Sequence, residues 1–195
     1  MKFFGPFLQK RTASLLSVVL APPGVCVFQN FPSSPRLTAV LTLVGFIGLC
    51  LLVGVSGAGL TAQAVRGWYL TLVAPPGTPP NWLFAPVWTA LYVLVGTAAW
   101  LVWRVPAYRS VDKRAALQLW GWQLLLNALW TPAFFGLHST VLGLVVIVPL
   151  VALIGMTMVS FARLRPIAAA LLVPYLGWIC YATYLNIGFW WLNRI

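Results

Sequence analysis

Long stretches without a charged side chain restrict what this chain of 195 residues can fold into more than any other feature. From Arg36 onward, four of them lie between basic residues, at 37–65, 67–103, 115–162 and 166–193, and the third contains only His138 as a candidate charge. A helix that crosses a membrane needs about 20 predominantly apolar residues. Each stretch is therefore long enough for one membrane span, and the third is long enough for two.

The apolar runs are continuous, whereas the strands of a membrane barrel would appear as short segments of alternating hydrophobicity. The polar residues Gly136–Ser139 divide the third stretch. The sequence therefore predicts an all-α integral membrane protein. Its fold is a bundle of five transmembrane helices at about 37–61, 82–104, 114–136, 140–162 and 167–191.

The composition excludes several classes of protein. Hydrophobic residues make up 62% of the chain and charged residues 7%, whereas a soluble domain carries roughly 25% charged residues on its surface. The chain has twelve Lys and Arg against one acid, which would suit nucleic-acid binding if the bases formed a patch among polar residues. They lie instead between apolar stretches, as in the loops of a membrane protein. We therefore expect neither a soluble enzyme nor a nucleic-acid partner.

The basic residues also predict an orientation. The side that carries the N-terminus and the loops after the second and fourth helices holds seven of them near the spans: Arg36, Arg104, Arg109, Lys113, Arg114, Arg163 and Arg165. The other side holds Arg66 and Arg194. The positive-inside rule then places the N-terminus in the cytoplasm and the C-terminus outside. This argument favours a bacterial cell membrane, with an organelle membrane as the alternative.

Residues 1–36 differ from the membrane domain at 37–195. Prolines interrupt them, and their apolar run at 12–21 is too short to span a membrane. A basic start followed by such a run resembles a targeting segment. The alternative is a non-essential extension or a start codon assigned too far upstream.

Few residues could carry metal or acid–base chemistry. The cysteines Cys26, Cys50 and Cys180 lack the spacing of a metal site, and we predict no metal. The one acid, Asp112, and the one histidine, His138, lie in predicted loops on opposite sides of the membrane. Asp112 is expected to pair with a neighbouring base and His138 to be a solvated turn residue. General acid–base catalysis needs a positioned titratable group, so the sequence offers no catalytic residue.

The first predicted helix carries a ridge of small side chains, because Cys50, Gly54 and Ala58 are spaced by four. In lipid, small residues allow helix backbones to approach closely. The ridge predicts a homodimer interface. The alternative is packing against another helix of the same bundle.

Three other helices each place rings or polar groups on one face through a spacing of four. These residues are Phe84, Trp88 and Tyr92 on the second helix, Gln123, Asn127 and Thr131 on the third, and Trp178, Ala182 and Asn186 on the fifth. Amides are costly in lipid, so those of Gln123, Asn127 and Asn186 should face inward. One interpretation is that these amides only form hydrogen bonds that hold the helices together. Three such faces together also suit a large, planar, mostly apolar ligand.

Three segments resemble the signatures of one family. They are Asn81–Tyr92 (NWLFAPVWTALY), Gln123–Phe135 (QLLLNALWTPAFF) and Pro174–Asn186 (PYLGWICYATYLN). Over about residues 37–194 the chain is similar to the tryptophan-rich sensory protein / translocator protein family (TspO/MBR, peripheral-type benzodiazepine receptor). The motifs occur in the family's order, with the family's number of spans.

The resemblance implies a five-helix bundle, commonly dimeric, whose cavity is closed by the loop between the first two spans. Family members bind porphyrins such as protoporphyrin IX, heme precursors, synthetic isoquinoline and benzodiazepine ligands and, in animals, cholesterol. Porphyrin is then a ligand and no cofactor is expected. The positions that match cavity-lining residues are Trp88, Tyr92, Asn127, Trp178 and Ala182, and Trp68 and Tyr69 match an aromatic pair on the covering loop.

Two departures from the family pattern bear on function. The covering loop has the proline-rich segment Pro75–Pro80 where relatives usually carry tryptophan, so the loop should be stiffer and poorer in aromatics. The cholesterol pattern at the end of the fifth span has Phe189 in place of tyrosine. The resemblance favours a membrane receptor or carrier that affects tetrapyrrole traffic and stress signalling. The alternatives are a light-dependent porphyrin-degrading enzyme, a sterol or lipid transporter, and a helical scaffold without a ligand.

Overall fold

The structure, a computed structural model, describes residues 35–106 and 109–194, and within those ranges it contains helices and loops and no strands. The described residues form seven α-helices, which are α1 (Pro35–Ala64), α2 (Trp68–Thr71), α3 (Phe84–Trp103), α4 (Ser110–Thr131), α5 (Thr140–Leu164), α6 (Pro166–Leu171) and α7 (Val173–Leu192). A 3-10 turn, Asn81–Leu83, precedes α3, and a π-helical segment, Pro132–Gly136, follows α4. Residues 1–34 of the predicted extension lie outside the described residues.

The five predicted spans correspond to α1, α3, α4, α5 and the pair α6–α7, which confirms the all-α bundle. Proline sets several boundaries, because it lacks a backbone N–H and fits best in the first turn of a helix. Pro166 begins α6, and Pro174 lies in the first turn of α7. At the start of α5, the hydroxyl oxygen of Ser139 accepts a hydrogen bond from the backbone N–H of Leu142, at 3.2 Å.

Pro132 changes the helix geometry at the end of α4. Beyond it backbone N–H groups bond to the carbonyl five residues earlier instead of four. Leu137 N–H donates to the Pro132 carbonyl at 2.9 Å, and Ser139 N–H donates to the Phe134 carbonyl at 3.2 Å. This one-turn π-helix rotates the following side chains relative to a continuous α-helix. It therefore determines where the rings of Phe134 and Phe135 lie.

Four segments are long and apolar enough to cross a membrane: Arg36–Ala64, Asn81–Trp103, Thr140–Leu164 and Pro166–Leu192. Helix α4 has a polar start and buried amides, so its composition is less apolar. Its 22 residues extend over about 33 Å, and its outward residues Trp122, Leu125 and Leu129 are exposed and apolar. Helix α4 is therefore the fifth span, with its polar groups facing the bundle.

The core lies between α3, α4, α5 and the α6–α7 pair. Helix α5 contributes a buried stripe of Ile147, Leu150, Ile154 and Phe161, which repeats at helical spacing. Helix α1 lies at the edge of the bundle and contacts α3 through Gly96. A Cβ atom at Gly96 would lie 2.7 Å from the Cα atom of Ile47, so the backbones of these two helices touch.

The small ridge of α1 is divided between the interior and the surface. The side chain of Cys50 is fully buried, and a Cβ atom at Gly54 would lie 2.5 Å from Cε2 of Tyr92 in the same chain. Ala58 is exposed. Cys50 and Gly54 thus pack against other helices of the same bundle, which is the alternative to a dimer interface. Dimerisation stays a prediction.

At the end of the bundle that is predicted to face the cytoplasm, basic side chains bind the carbonyl groups at helix ends. Lys113 Nζ donates to the Val105 carbonyl at 3.0 Å, and Arg109 Nη2 donates to the Arg163 carbonyl at 3.1 Å. The carboxylate of Asp112 lies 3.9 Å from Arg109 Nε, as the sequence predicted. Cations stabilise the negative ends of helix dipoles, so these contacts hold α3, α4 and α5 together.

Candidate functional site: an aromatic cavity under a docked loop

Aromatic rings fill the end of the bundle next to the loop that joins α1 to α3. Trp130 of α4 stacks on Phe134, with ring centroids 5.2 Å apart and planes inclined by 15°. Phe134 and Phe135 meet edge to face at 4.9 Å. Tyr69 of α2 closes the cluster from the loop side, 5.1 Å from Phe189 of α7. These five side chains form what we call the ring cluster.

A cavity of about 40 Å³ lies within the ring cluster. Its lining comprises Tyr69, Phe84, Trp130, Phe134, Phe135, Ala182, Leu185, Asn186 and Phe189. This lining is almost entirely apolar, and none of the nine residues is an acid, a histidine or a lysine. Pockets for drug-sized ligands usually measure about 300–1,000 Å³. A large planar ligand therefore requires that the rings rotate or separate.

Four of the predicted ligand-binding residues line this cavity: Tyr69, Phe84, Ala182 and Asn186. The other five lining residues were not among those predicted from the sequence: Trp130, Phe134, Phe135, Leu185 and Phe189. Most of these residues lie within or next to the motifs quoted above. Trp130 is one turn beyond Asn127 and could have been found by extending that face.

Below the cavity, three predicted residues belong to a buried chain of hydrogen bonds. Tyr92 OH donates to Asn127 Oδ1 at 2.8 Å, Asn127 Nδ2 donates to Tyr175 OH at 3.1 Å, and Tyr175 OH donates to Gln123 Oε1 at 2.8 Å. Tyr175, which the sequence analysis did not single out, joins the two amides. We call these four residues the polar chain. It connects α3, α4 and α7, and the amides face inward as predicted.

One donor of the polar chain has no partner among the described residues. It is the Nε2 group of Gln123, whose side chain is 1% exposed. The Nε1 group of Trp120, one turn earlier on α4, is in the same situation. Buried donors without partners lower stability, so this part of the bundle is not optimised for stability alone.

The remaining predicted residues have other contacts. Trp88 stacks on Tyr92 at 5.2 Å, above the polar chain, and Trp178 meets Phe84 edge to face at 6.3 Å. Thr131 packs against α1, where a Cβ atom at Gly57 would lie 2.8 Å from its Cγ2. Trp68 stacks on His138 and also meets Phe134 of the ring cluster edge to face at 5.6 Å. None of these four side chains lines the 40 Å³ cavity.

Asn186 links the cavity to the helices around it. Its Nδ2 group donates to the Thr140 carbonyl at 2.8 Å, and its Oδ1 accepts from Trp130 Nε1 at 3.4 Å. A Cβ atom at Gly143 would lie 2.5 Å from the same Oδ1, so only glycine leaves room for the amide. Asn186 therefore serves the bundle as well as the cavity lining.

The loop between α2 and the 3-10 turn is docked along α7. The backbone of Val73 exchanges two hydrogen bonds with the Asn193 side chain, at 2.8 and 3.1 Å. Tyr184 OH donates to the Pro76 carbonyl at 3.1 Å, and Tyr181 OH donates to the Gly77 carbonyl. Pro75 is buried against α7. The proline-rich loop that the sequence indicated is thus held in place at several points.

Gly188 makes this docking possible, because a Cβ atom there would lie 2.6 Å from Cβ of Pro75. Tyr69 lies under the same loop. Burial, with a smaller effect from Tyr181, raises the pKa of the Tyr69 phenol to about 12. A tyrosine phenol is protonated at neutral pH even without this shift, and it can donate a hydrogen bond.

Comparison with known proteins identifies the family. The model of the TspO/MBR family matches residues 46–192, which is most of the chain. The chain belongs to the TspO/MBR family. It is 44% identical over 154 residues to the tryptophan-rich protein TspO of Chlorobaculum tepidum, covering 79% of this chain and 97% of that protein.

Animal and bacterial relatives give the same result. The translocator protein of Bos taurus is 35% identical over 152 residues, covering 78% of this chain and 90% of that protein. The tryptophan-rich sensory protein of Cereibacter sphaeroides is 36% identical over 141 residues, covering 72% and 84%. The chain is therefore an integral membrane protein, and its family membership supports a receptor- or transporter-type role.

Proposed function

We propose that this TspO/MBR protein binds porphyrins, such as protoporphyrin IX and heme precursors, in the cavity of the ring cluster. It would act as a membrane receptor or carrier for them. The observation that carries the proposal is the cavity itself, an apolar space walled by aromatic rings inside the bundle and covered by a docked loop. Flat π-faces suit a planar macrocycle, because offset stacking combines large apolar contact with electrostatic attraction between rings.

Binding would need an opening of the ring cluster. The rings of Trp130 and Phe134 are already nearly parallel. A planar ligand could insert between them and stack on both, which would replace their contact with each other. The phenol of Tyr69 makes no hydrogen bond within the described residues, and it carries a proton that it can donate. It could therefore donate to a propionate of the porphyrin from the loop side.

The test is a titration of the protein with protoporphyrin IX in lipid nanodiscs, with binding followed by quenching of tryptophan fluorescence. Trp130→Ala should raise Kd by about tenfold or more, which is the loss expected for a central aromatic anchor. Trp122→Ala is the matched control, since Trp122 lies on the same helix and is 60% exposed. Equal Kd values for both variants, with both folded, would contradict the proposal.

The same titration separates the alternatives. Loss of porphyrin absorbance that needs both protein and light would favour the degrading enzyme, for which tryptophan radical chemistry is the remaining route. Displacement of porphyrin by cholesterol, with a tighter Kd for the sterol, would favour a sterol transporter. Dark-stable, reversible porphyrin binding is the outcome that a receptor or carrier predicts.

A further inference from the structure

A second cavity, of about 380 Å³, lies at the same end of the bundle but outside the ring cluster. It lies between the end of α1, the start of α2 and the turn that follows the π-helical segment. Its lining comprises Leu60, Gln63, Ala64, Gly67, Trp68, Phe135, Gly136 and His138. Phe135 is the one residue that it shares with the ring-cluster cavity. The volume falls within the range of small-molecule sites.

Aromatic rings form one wall of this second cavity. The indole of Trp68 and the imidazole of His138 are nearly parallel, with centroids 5.0 Å apart and planes inclined by 23°. Phe135, Leu60 and Ala64 supply apolar surface around them. Such a wall suits a flat aromatic ligand of modest size.

The backbone of His138 is a second observation. Its φ angle is 51°, and it is the only residue other than glycine with a positive φ among those that the structure describes. Histidine adopts this left-handed conformation more often than most side chains, and here it turns the chain between the π-helical segment and α5. His138 is exposed, as the sequence predicted, and its imidazole nitrogens make no hydrogen bond to any described residue. The turn thus presents a polar ring that the fold itself does not use for hydrogen bonding.

Polar groups and charge at this site favour an anion. The amide of Gln63 and the imidazole of His138 can both donate hydrogen bonds. Arg66 lies in the turn between the lining residues Gln63 and Gly67, and its backbone N–H donates to the Gln63 carbonyl at 3.3 Å. The only acid of the chain, Asp112, is at the opposite end of the bundle.

We propose that this second cavity binds a small planar aromatic carboxylate. The aromatic part stacks beside Trp68 and His138, and the carboxylate accepts hydrogen bonds from Gln63 and His138 within the field of Arg66. The site differs from the ring-cluster cavity in volume and shares only Phe135 with its lining, so the inference does not depend on the proposed function.

The single histidine of the chain gives a direct probe. Protein labelled with ¹⁵N-histidine shows the signals of one imidazole, and 2-naphthoate is titrated against it in zwitterionic nanodiscs. A saturable shift of the imidazole signals is expected. Naphthalene-2-methanol, which has the same rings without the charge, should bind about tenfold more weakly or worse. No saturable shift, or equal binding of the two compounds, would overturn the proposal.

Variants complete the test. Trp68→Leu and Arg66→Gln should each weaken naphthoate binding, by about tenfold for Trp68→Leu. The matched control for charge is Arg194→Gln, because Arg194 is the other base predicted on this side of the membrane and lies over the Trp191 ring at 3.3 Å. An Arg194→Gln effect as large as that of Arg66→Gln would overturn the assignment to this cavity. Protoporphyrin titration of the same variants shows whether the ring-cluster cavity is intact.

Discussion

The ring cluster and the polar chain lie next to each other in one bundle, yet they are stabilised by different interactions. The polar chain is a series of three hydrogen bonds through Asn127 and Tyr175 that joins three helices. The ring cluster makes few hydrogen bonds and encloses the 40 Å³ cavity. The difference shows that buried amides in this bundle connect helices, while the proposed ligand site is built from packed aromatic rings.

The largest effect on stability is expected for Asn127→Leu. The change leaves the hydroxyl groups of Tyr92 and Tyr175 without their shared partner and should lower the free energy of unfolding by about 2 kcal/mol. Chemical or thermal unfolding in detergent measures this. Gln118→Leu is the control, since Gln118 is exposed on the same helix. Equal stability of the two variants would mean that the polar chain does not hold the helices.

Gly54→Leu tests the same region from α1. A side chain at this position meets the ring of Tyr92, so it should displace Tyr92 from Asn127 and destabilise the monomer by roughly 1–3 kcal/mol. Ala58→Leu changes an exposed position of the same ridge and should leave monomer stability unchanged. Size-exclusion chromatography of both variants distinguishes the roles. A weakened dimer with an intact monomer in Gly54→Leu would show that the ridge is an interface instead.

A smaller effect is expected for the loop over the ring cluster. Asn193→Leu removes the two hydrogen bonds that tie Val73 to the end of α7. Since docked loops commonly control access to a site, porphyrin association and dissociation should both become several-fold faster, with Kd changed by less than about threefold. Stopped-flow fluorescence measures the rates. Asn81→Leu, at the other end of the same loop, is the control, and identical rates in the two variants would contradict a gating role.

The sequence was sufficient for the architecture because uncharged stretches in a membrane protein have few alternatives to helices. The inward direction of Gln123, Asn127 and Asn186 followed from the cost of amides in lipid, and all three are buried. The side-chain contacts within the bundle were harder to predict from the sequence. The π-helical turn after Pro132 departs from the regular α-helical spacing, so the positions of Phe134 and Phe135 could not be read from a spacing of four.

Long-range pairings were beyond sequence reasoning for another reason. The partners Val73 and Asn193 are separated by 120 positions, and Gly77 and Tyr181 by 104. Nothing in the composition of either segment specifies that they meet. Trp88 and Trp178 were predicted from the family resemblance to line the cavity, but the structure places both beside it. Their role in binding stays a prediction that an alanine substitution at each position would test against Trp130→Ala.

The most direct test of the division between rings and amides is the protoporphyrin IX affinity of Ala182→Leu, compared with that of Asn127→Leu. Ala182 lines the small cavity, so a leucine there should occupy the space without leaving a void or an unpaired polar group. We expect Ala182→Leu to keep the stability of the parent protein and to raise Kd by about tenfold or more. We expect Asn127→Leu to lose stability while keeping Kd within about threefold under conditions where it is folded. Parent-like affinity in Ala182→Leu would contradict the placement of the porphyrin in the ring cluster.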